Sequence, residues 1–171
     1  MKFICQREAL VTVSYEDGRN EDGSPKYSIG FGSQTPPPQV GDSITIEDAF
    51  ARVKVDISDR AKIVDRVLDF PVEQHEFDAL VSLFYQSGTA ALNDVAEWLS
   101  LGDRNRAMIA MSSYVKKEDG TFSIGLMKRR HLELMIFAKA DYGDLSMIKV
   151  YNGDPKIVRP IEMPFPVEAS T

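Results

Sequence analysis

Two carboxylates stand nine residues apart near the start of the chain, Glu8 and Asp17, with Tyr15 between them. A lone hydroxyl follows at Ser28, in the stretch "YSIGFGSQ". Two carboxyls and a hydroxyl around one groove suit the hydrolysis of a glycosidic bond. One carboxyl, protonated, donates to the leaving oxygen. The other, ionised, activates water or steadies the oxocarbenium-like centre. Each residue also has an ordinary reading. A Glu on a short helix is usually a solvated surface residue, and an Asp before Gly is usually turn chemistry.

The elements around these residues decide between the two readings. In "YSIGFGSQ" the large residues Tyr27, Ile29 and Phe31 alternate with the small Ser28, Gly30 and Gly32. On a strand the two sets point to opposite faces. The small set is expected to form a bare face open to a ligand, because a missing side chain lets another chain come close. Upstream, a short helix is expected from Lys2 to about Ala9, followed by a strand over "LVTVSY". "EDGRNEDGSPK" then reads as a long hairpin tip, with Glu16 and Asp17 where the strand meets the turn. After the proline-rich "QTPPPQVGDS" the pattern becomes helical. Thr45 with Asp48 resembles a capping box, Pro71 suits a first helical turn, Gly88 and Gly102 are natural stops, and Asp103 is a candidate cap. The last long helix is read in "GLMKRRHLELMIFAKA".

Composition narrows the classes. The 171 residues carry a formal charge of −6, with 43% hydrophobic and 27% charged residues, which fits a globular domain. No basic patch interleaved with aromatics supports nucleic-acid binding. The single cysteine cannot form an internal disulfide, and one cysteine with two distant histidines gives no metal-site spacing. Arg7 and Glu8 interrupt the N-terminal apolar run, so no secretory signal is read, and no stretch reaches the roughly 20 apolar residues of a membrane span.

With these motifs in this order, the chain resembles the phage lysozymes, or endolysins, of glycoside hydrolase family 24. That family has a Glu at the end of its first helix, then a Tyr and an Asp at the spacings of Tyr15 and Asp17, then a Thr in a Thr-Ile-Gly-Tyr-Gly-like strand. The resemblance continues through "VGDSITIEDA", "EFDALVSLFYQSG" and "GLMKRRHLELMIF", covering about residues 3 to 140. It implies an α+β, mostly helical, two-lobed fold. A lysozyme-like catalytic domain would span residues 1–141, with a β-hairpin lobe about 11–44, a helical lobe about 45–141 and a cleft between them. A C-terminal extension would span 142–171, with a short strand "MIKVY" and a proline-punctuated tail lying extended, or disordered at its very end.

The implied substrate is bacterial peptidoglycan, cut between N-acetylmuramic acid and N-acetylglucosamine by a monomer that needs no cofactor or metal. The enzyme would wait in the host cytoplasm until released to the wall. Glu8 would be the acid, Asp17 the second carboxylate, and Ser28 the holder of the attacking water. Gln86 would line the cleft, Arg129 would fix Glu8 with Arg130 as the lesser choice, and Gly30 would face the sugar.

The chain departs from the family pattern in three ways. Ala9 replaces the usual Gly after the Glu, Ser28 replaces Thr, and Gly32-Ser33 replaces Gly-His. Because the hairpin is longer than usual, counting back from Ser28 selects Asp22 in place of Asp17. Two other classes share much of this pattern. A lytic transglycosylase needs the acid but neither Asp17 nor Ser28, and a non-catalytic virion or wall-binding relative would tolerate the departures.

Overall fold

The computed structural model describes residues 1–117 and 119–166. Its first helix, α1 (Lys2–Glu8), turns Phe3, Ile4 and Cys5 inward. The helix ends abruptly. The backbone N–H of Ala9 still donates to the Cys5 carbonyl at 3.0 Å, but Ala9 itself has φ 59° and ψ 162°. The next residue opens strand β1 (Leu10–Arg19). Such a backbone is essentially glycine's territory, which supplies a reason for the family's glycine at this position.

Strand β1 continues well past "LVTVSY". It pairs antiparallel with β2 (Pro25–Gly30), setting Tyr15 opposite Ser28 and Arg19 opposite Pro25. The expected long tip shrinks to residues 20–24. There Asn20 N–H donates to the Ser24 carbonyl at 2.9 Å, and Asp22 Oδ1 accepts from Ser24 N and Oγ. Asp17 is therefore inside a strand, where ladder pairing has overridden the Asp-Gly turn signal.

The chain beyond residue 141, read above as an extension, contributes two further strands to the same sheet. These are β3 (Met147–Tyr151), which covers the "MIKVY" segment, and β4 (Ile161–Pro164). The strand order is β2-β1-β3-β4. β3 lies parallel to β1, with Leu10 opposite Val150, and antiparallel to β4. A parallel pair requires a crossover, and here the crossover is the whole helical part of the chain. Residues 167–171, which include the very end of the tail, lie outside the described residues.

The helices are α2 (Ile46–Val67), α3 (Gln74–Ser100), α4 (Arg104–Ser113) and α5 (Ile124–Lys139). Their starts follow local side-chain chemistry. Thr45 Oγ1 accepts from Asp48 N at 3.0 Å, Asp103 from Arg106 N at 3.0 Å, and Ser123 from Leu126 N at 3.3 Å. α3 starts after Pro71 rather than at it, because Glu73 and Glu76 form a reciprocal capping box there. α3 is two helical segments joined at a kink: Gly88, with φ 72° and ψ −166°, stops the first, as its glycine suggests, and the second runs on from it.

The chain divides into two compact units. The first holds residues 1–56 and the chain from 144 onward, with a core that includes Phe3, Leu10, Val11, Ile29, Phe31, Ala49, Ile148 and Val150. The second holds residues 57–143 around Leu80, Leu83, Leu92, Val95, Met111 and Ile136. No helix among the described residues is long and apolar enough to cross a membrane.

Replacing Ala9 by Gly removes the steric conflict of a Cβ at this backbone, partly offset by the greater entropy of glycine in the unfolded chain. The Ala9→Gly protein is expected to be more stable by about 1 kcal/mol. A urea midpoint equal to or below that of the parent would contradict the strain assigned to Ala9.

Candidate active site

The pairing of β1 with β2 brings the candidate residues of the first unit together. Tyr15 and Asp17 are two apart on β1 and so share a face, and Ser28 lies opposite Tyr15. Asp17 is then the diagonal neighbour of Ser28. The Ser28 hydroxyl donates to Asp17 Oδ2 at 2.8 Å. Register shifts in β1 on either side of Tyr15–Glu16 show that the strand is irregular there. Such bulges re-aim side chains and are common beside active sites.

Tyr15 marks where the charges lie. Its hydroxyl is pushed well above the usual tyrosine range, first by burial and then by the carboxylates of Asp17, Glu8 and Asp154. Glu8, half-buried at the end of α1, and exposed Asp17 on β1 therefore act on the same phenol. Asp22, in contrast, serves the turn. Its bonds from Ser24 hold its carboxyl below the usual range, and Ser28 contacts Asp17.

The open strand face expected of Ser28 and Gly30 is not present. Ser28 is 0% exposed and Gly30 is buried. A Cβ added at Gly30 would lie 3.6 Å from Ala49 Cβ and 3.9 Å from Ile44 Cδ1. The close approach that this glycine permits is that of α2, which packs where a ligand was expected. Gly32 is exposed.

Sequence reasoning missed two members of this neighbourhood. Gln34 Nε2 donates to Ser28 Oγ at 3.2 Å. Asp154 arrives from the turn after β3, and no local signal announces it. Lys156, two residues on, donates through Nζ to the Glu16 carbonyl at 3.1 Å.

Gln86, Arg129 and Arg130 belong to the second unit. Gln86 is half-buried on α3, and its Oε1 accepts from Ser87 Oγ at 2.7 Å. Arg129 Nε donates to Glu133 Oε1 at 3.1 Å, and Arg130 Nη2 to the same oxygen at 2.9 Å. Arg130 Nη1 also donates to Ser87 Oγ at 2.6 Å, and Ser82 Oγ to Glu133 Oε1 at 2.6 Å. Glu133, fully buried, gathers both arginines. Its spacing of four from Arg129 and three from Arg130 was the available signal.

The phage lysozyme family model matches residues 6–133, three quarters of the chain and the stretch that carries all of these residues but Asp154 and Lys156. The chain belongs to the phage lysozyme family. Among relatives, the endolysin of Bacillus phage B103 is 32% identical over 151 residues, covering 85% of this chain and 55% of the relative. The chain thus spans about half the length of that relative. Among solved structures, the endolysin from Escherichia coli O157:H7 phage FAHEc1 is 29% identical with a TM-score of 0.71, covering 84% of this chain and 94% of that one. The muramidase domain of SpmX from Asticaccaulis excentricus is 27% identical with a TM-score of 0.70, covering 81% and 93%. The α+β, lysozyme-like fold expected from the sequence is the fold of this phage lysozyme family member.

The Tyr15 shift has a consequence for stability. A tyrosine that ionises later folded than unfolded stabilises fully below the unfolded value near 10. That contribution is lost as pH rises beyond it, because the unfolded chain then releases the proton first. The Tyr15→Phe protein is expected to lose less stability than the parent between pH 9 and pH 11. Urea midpoints at both pH values check this, and an identical fall in the two proteins would contradict it.

Proposed function

We propose that this phage lysozyme family member is a muramidase that hydrolyses the β-1,4 bond between N-acetylmuramic acid and N-acetylglucosamine in bacterial peptidoglycan. Glu8 gives its proton to the glycosidic oxygen. Asp17, ionised, takes a proton from the attacking water or steadies the positive sugar centre. Ser28 holds Asp17. The observation that carries this reading is the Ser28–Asp17 hydrogen bond, next to a tyrosine that also feels Glu8. The family match and the muramidase domain among the similar structures support it. The bond also favours Asp17 over Asp22, whose own oxygen is occupied by its turn.

In this reading Gln86 and Arg129 keep the separate roles that the family resemblance implies for them, and Glu133 holds Arg129. The enzyme works as a monomer without a cofactor, accumulates in the host cytoplasm and reaches the wall on release. Mass spectrometry of digested peptidoglycan tests the reaction itself. Reducing ends are expected. Anhydro-sugar ends would make it a transglycosylase, and the absence of products would make it non-catalytic.

Glu8→Gln is expected to abolish wall lysis while the fold is retained. A folded Glu8→Gln protein with near-normal lysis would rule out this site. Asp17→Ala is expected to cost at least about 100-fold more activity than Asp22→Ala, the scale of a lost general acid or base. If the Asp22→Ala protein is the inactive one, the second carboxylate has been assigned to the wrong residue.

A further inference from the structure

Gln34 has no part in the reaction as described, yet its position is specified by the backbone. After β2 the chain reverses over Gly30, Phe31 and Gly32, with φ 68° at Gly30 and 82° at Gly32. The reversal is closed by two bonds, Ile29 N–H to the Ser33 carbonyl at 3.0 Å and Ser33 N–H to the Ile29 carbonyl at 2.9 Å. Continuing this antiparallel pairing by one residue sets Gln34 opposite Ser28. Ser28 is thus flanked by Tyr15 on one side and Gln34 on the other, and is closed to solvent.

Counting protons fixes the direction of the chain of bonds. A serine hydroxyl has one proton and two lone pairs, and an ionised carboxylate only accepts. The proton of Ser28 therefore goes to Asp17 Oδ2. Gln34 must then present its NH2 group to the hydroxyl, since its carbonyl would meet a lone pair. The two bonds run in one sense, Gln34 to Ser28 at 3.2 Å and Ser28 to Asp17 at 2.8 Å. With a lone pair occupied by the amide, the hydroxyl is not free to rotate its proton away from the carboxylate.

We infer that Gln34 is a positioning residue for Asp17, acting through Ser28. The amide commits the Ser28 proton to Oδ2, so the exposed carboxyl group presents Oδ1 to water in one orientation. Ser28, buried and with its proton already given, holds the carboxylate rather than the attacking water. This inference rests on the proposed role of Asp17, and the test keeps the two apart.

Four proteins are compared on solubilised peptidoglycan: Gln34→Met, Gln34→Glu, Ser28→Ala, and the double variant Ser28→Ala with Gln34→Met. Methionine keeps the length of the side chain and removes the donor. Glutamate keeps the shape and replaces the donor by an acceptor. Both single Gln34 variants are expected to lower kcat by about three- to tenfold, the worth of one hydrogen bond, with KM unchanged and Glu the worse. In the Ser28→Ala background, Gln34→Met is expected to cost nothing further, because the link it acts through is gone. A Gln34→Glu protein with parental kcat, a rise in KM alone, or a full Gln34→Met penalty in the Ser28→Ala background would each overturn the inference. Asp17→Ala, assayed in parallel, separates the failures. If it is inactive while the Gln34 variants behave as the parent, only Gln34 has been misassigned. If it is fully active, the role of Asp17 falls and the inference falls with it.

Discussion

Between Glu8 and Leu10 the chain has one residue in which to leave a helix and enter the middle of a sheet. Ala9 does so at φ 59°, with its N–H still bonded inside α1. An ordinary helix exit takes several residues and would place β1 at another height against its partners. Because the exit is so short, only Ala9 separates the helix that ends in Glu8 from the strand that carries Tyr15 and Asp17. The strain at Ala9 is sustained by what lies on both sides of it. Phe3, Ile4 and Cys5 are buried in front, and Leu10 and Val11 behind. Cys5 is buried deeply enough that its thiol is pushed up to about 12, chiefly by loss of water and with the charge of Glu8 adding to it.

The strand that leaves Ala9 is held along both edges. β2 holds it through the Tyr15–Ser28 pair, and β3 through Leu10 and Val11. Side chains reinforce the second edge. The single proton of Thr12 Oγ1 is shared between the Tyr151 carbonyl at 3.2 Å and Asn152 Oδ1 at 3.0 Å, and Lys156 reaches the Glu16 carbonyl. Gln6 on α1 donates to the carbonyls of Asp144 and Met147. The C-terminal segment therefore grips the helix and the strand that carry Glu8 and Asp17. Its prolines, Pro160 and Pro164, flank or end the outermost strand, where a missing N–H does least harm to the ladder and discourages further pairing.

The parts legible in the sequence were those governed by neighbours along the chain. The caps at Thr45 and Asp103 and the Ser28 strand all follow from local chemistry. The readings that changed were decided by distant residues. Asp17-Gly18 looks like a turn until β2 pairs beyond it. Gly30 looks like an opening for a ligand until Ala49 of α2 occupies the space. "MIKVY" is readable as a strand, but nothing local states that it lies parallel to Leu10 and Val11, at the far end of the chain. Gln34 is hidden for a related reason. A glutamine after a glycine-rich turn is unremarkable until the Ile29–Ser33 bridge sets it beside Ser28.

A half-buried tyrosine, Tyr15, sits among the carboxylates of the first unit's candidate site. Burial opposes the ionisation of Tyr15, and the carboxylates of Asp17, Glu8 and Asp154 oppose it further. The phenol therefore keeps its proton at any working pH. It remains a neutral group that can donate but adds no negative charge among the carboxylates. The second unit solves the opposite problem. There Glu133 sits between Arg129 and Arg130, and taking the carboxylate away would leave two buried guanidinium groups without it, a loss on the order of 3–5 kcal/mol. Each unit thus sets a group of the other character among its like charges. A protonated phenol stands among carboxylates in the first, and a carboxylate stands among guanidiniums in the second. Substitutions at Tyr15 or Glu133 act on that balance before they act on shape, which is why Phe at Tyr15 is the milder change and Ala at Glu133 the severe one.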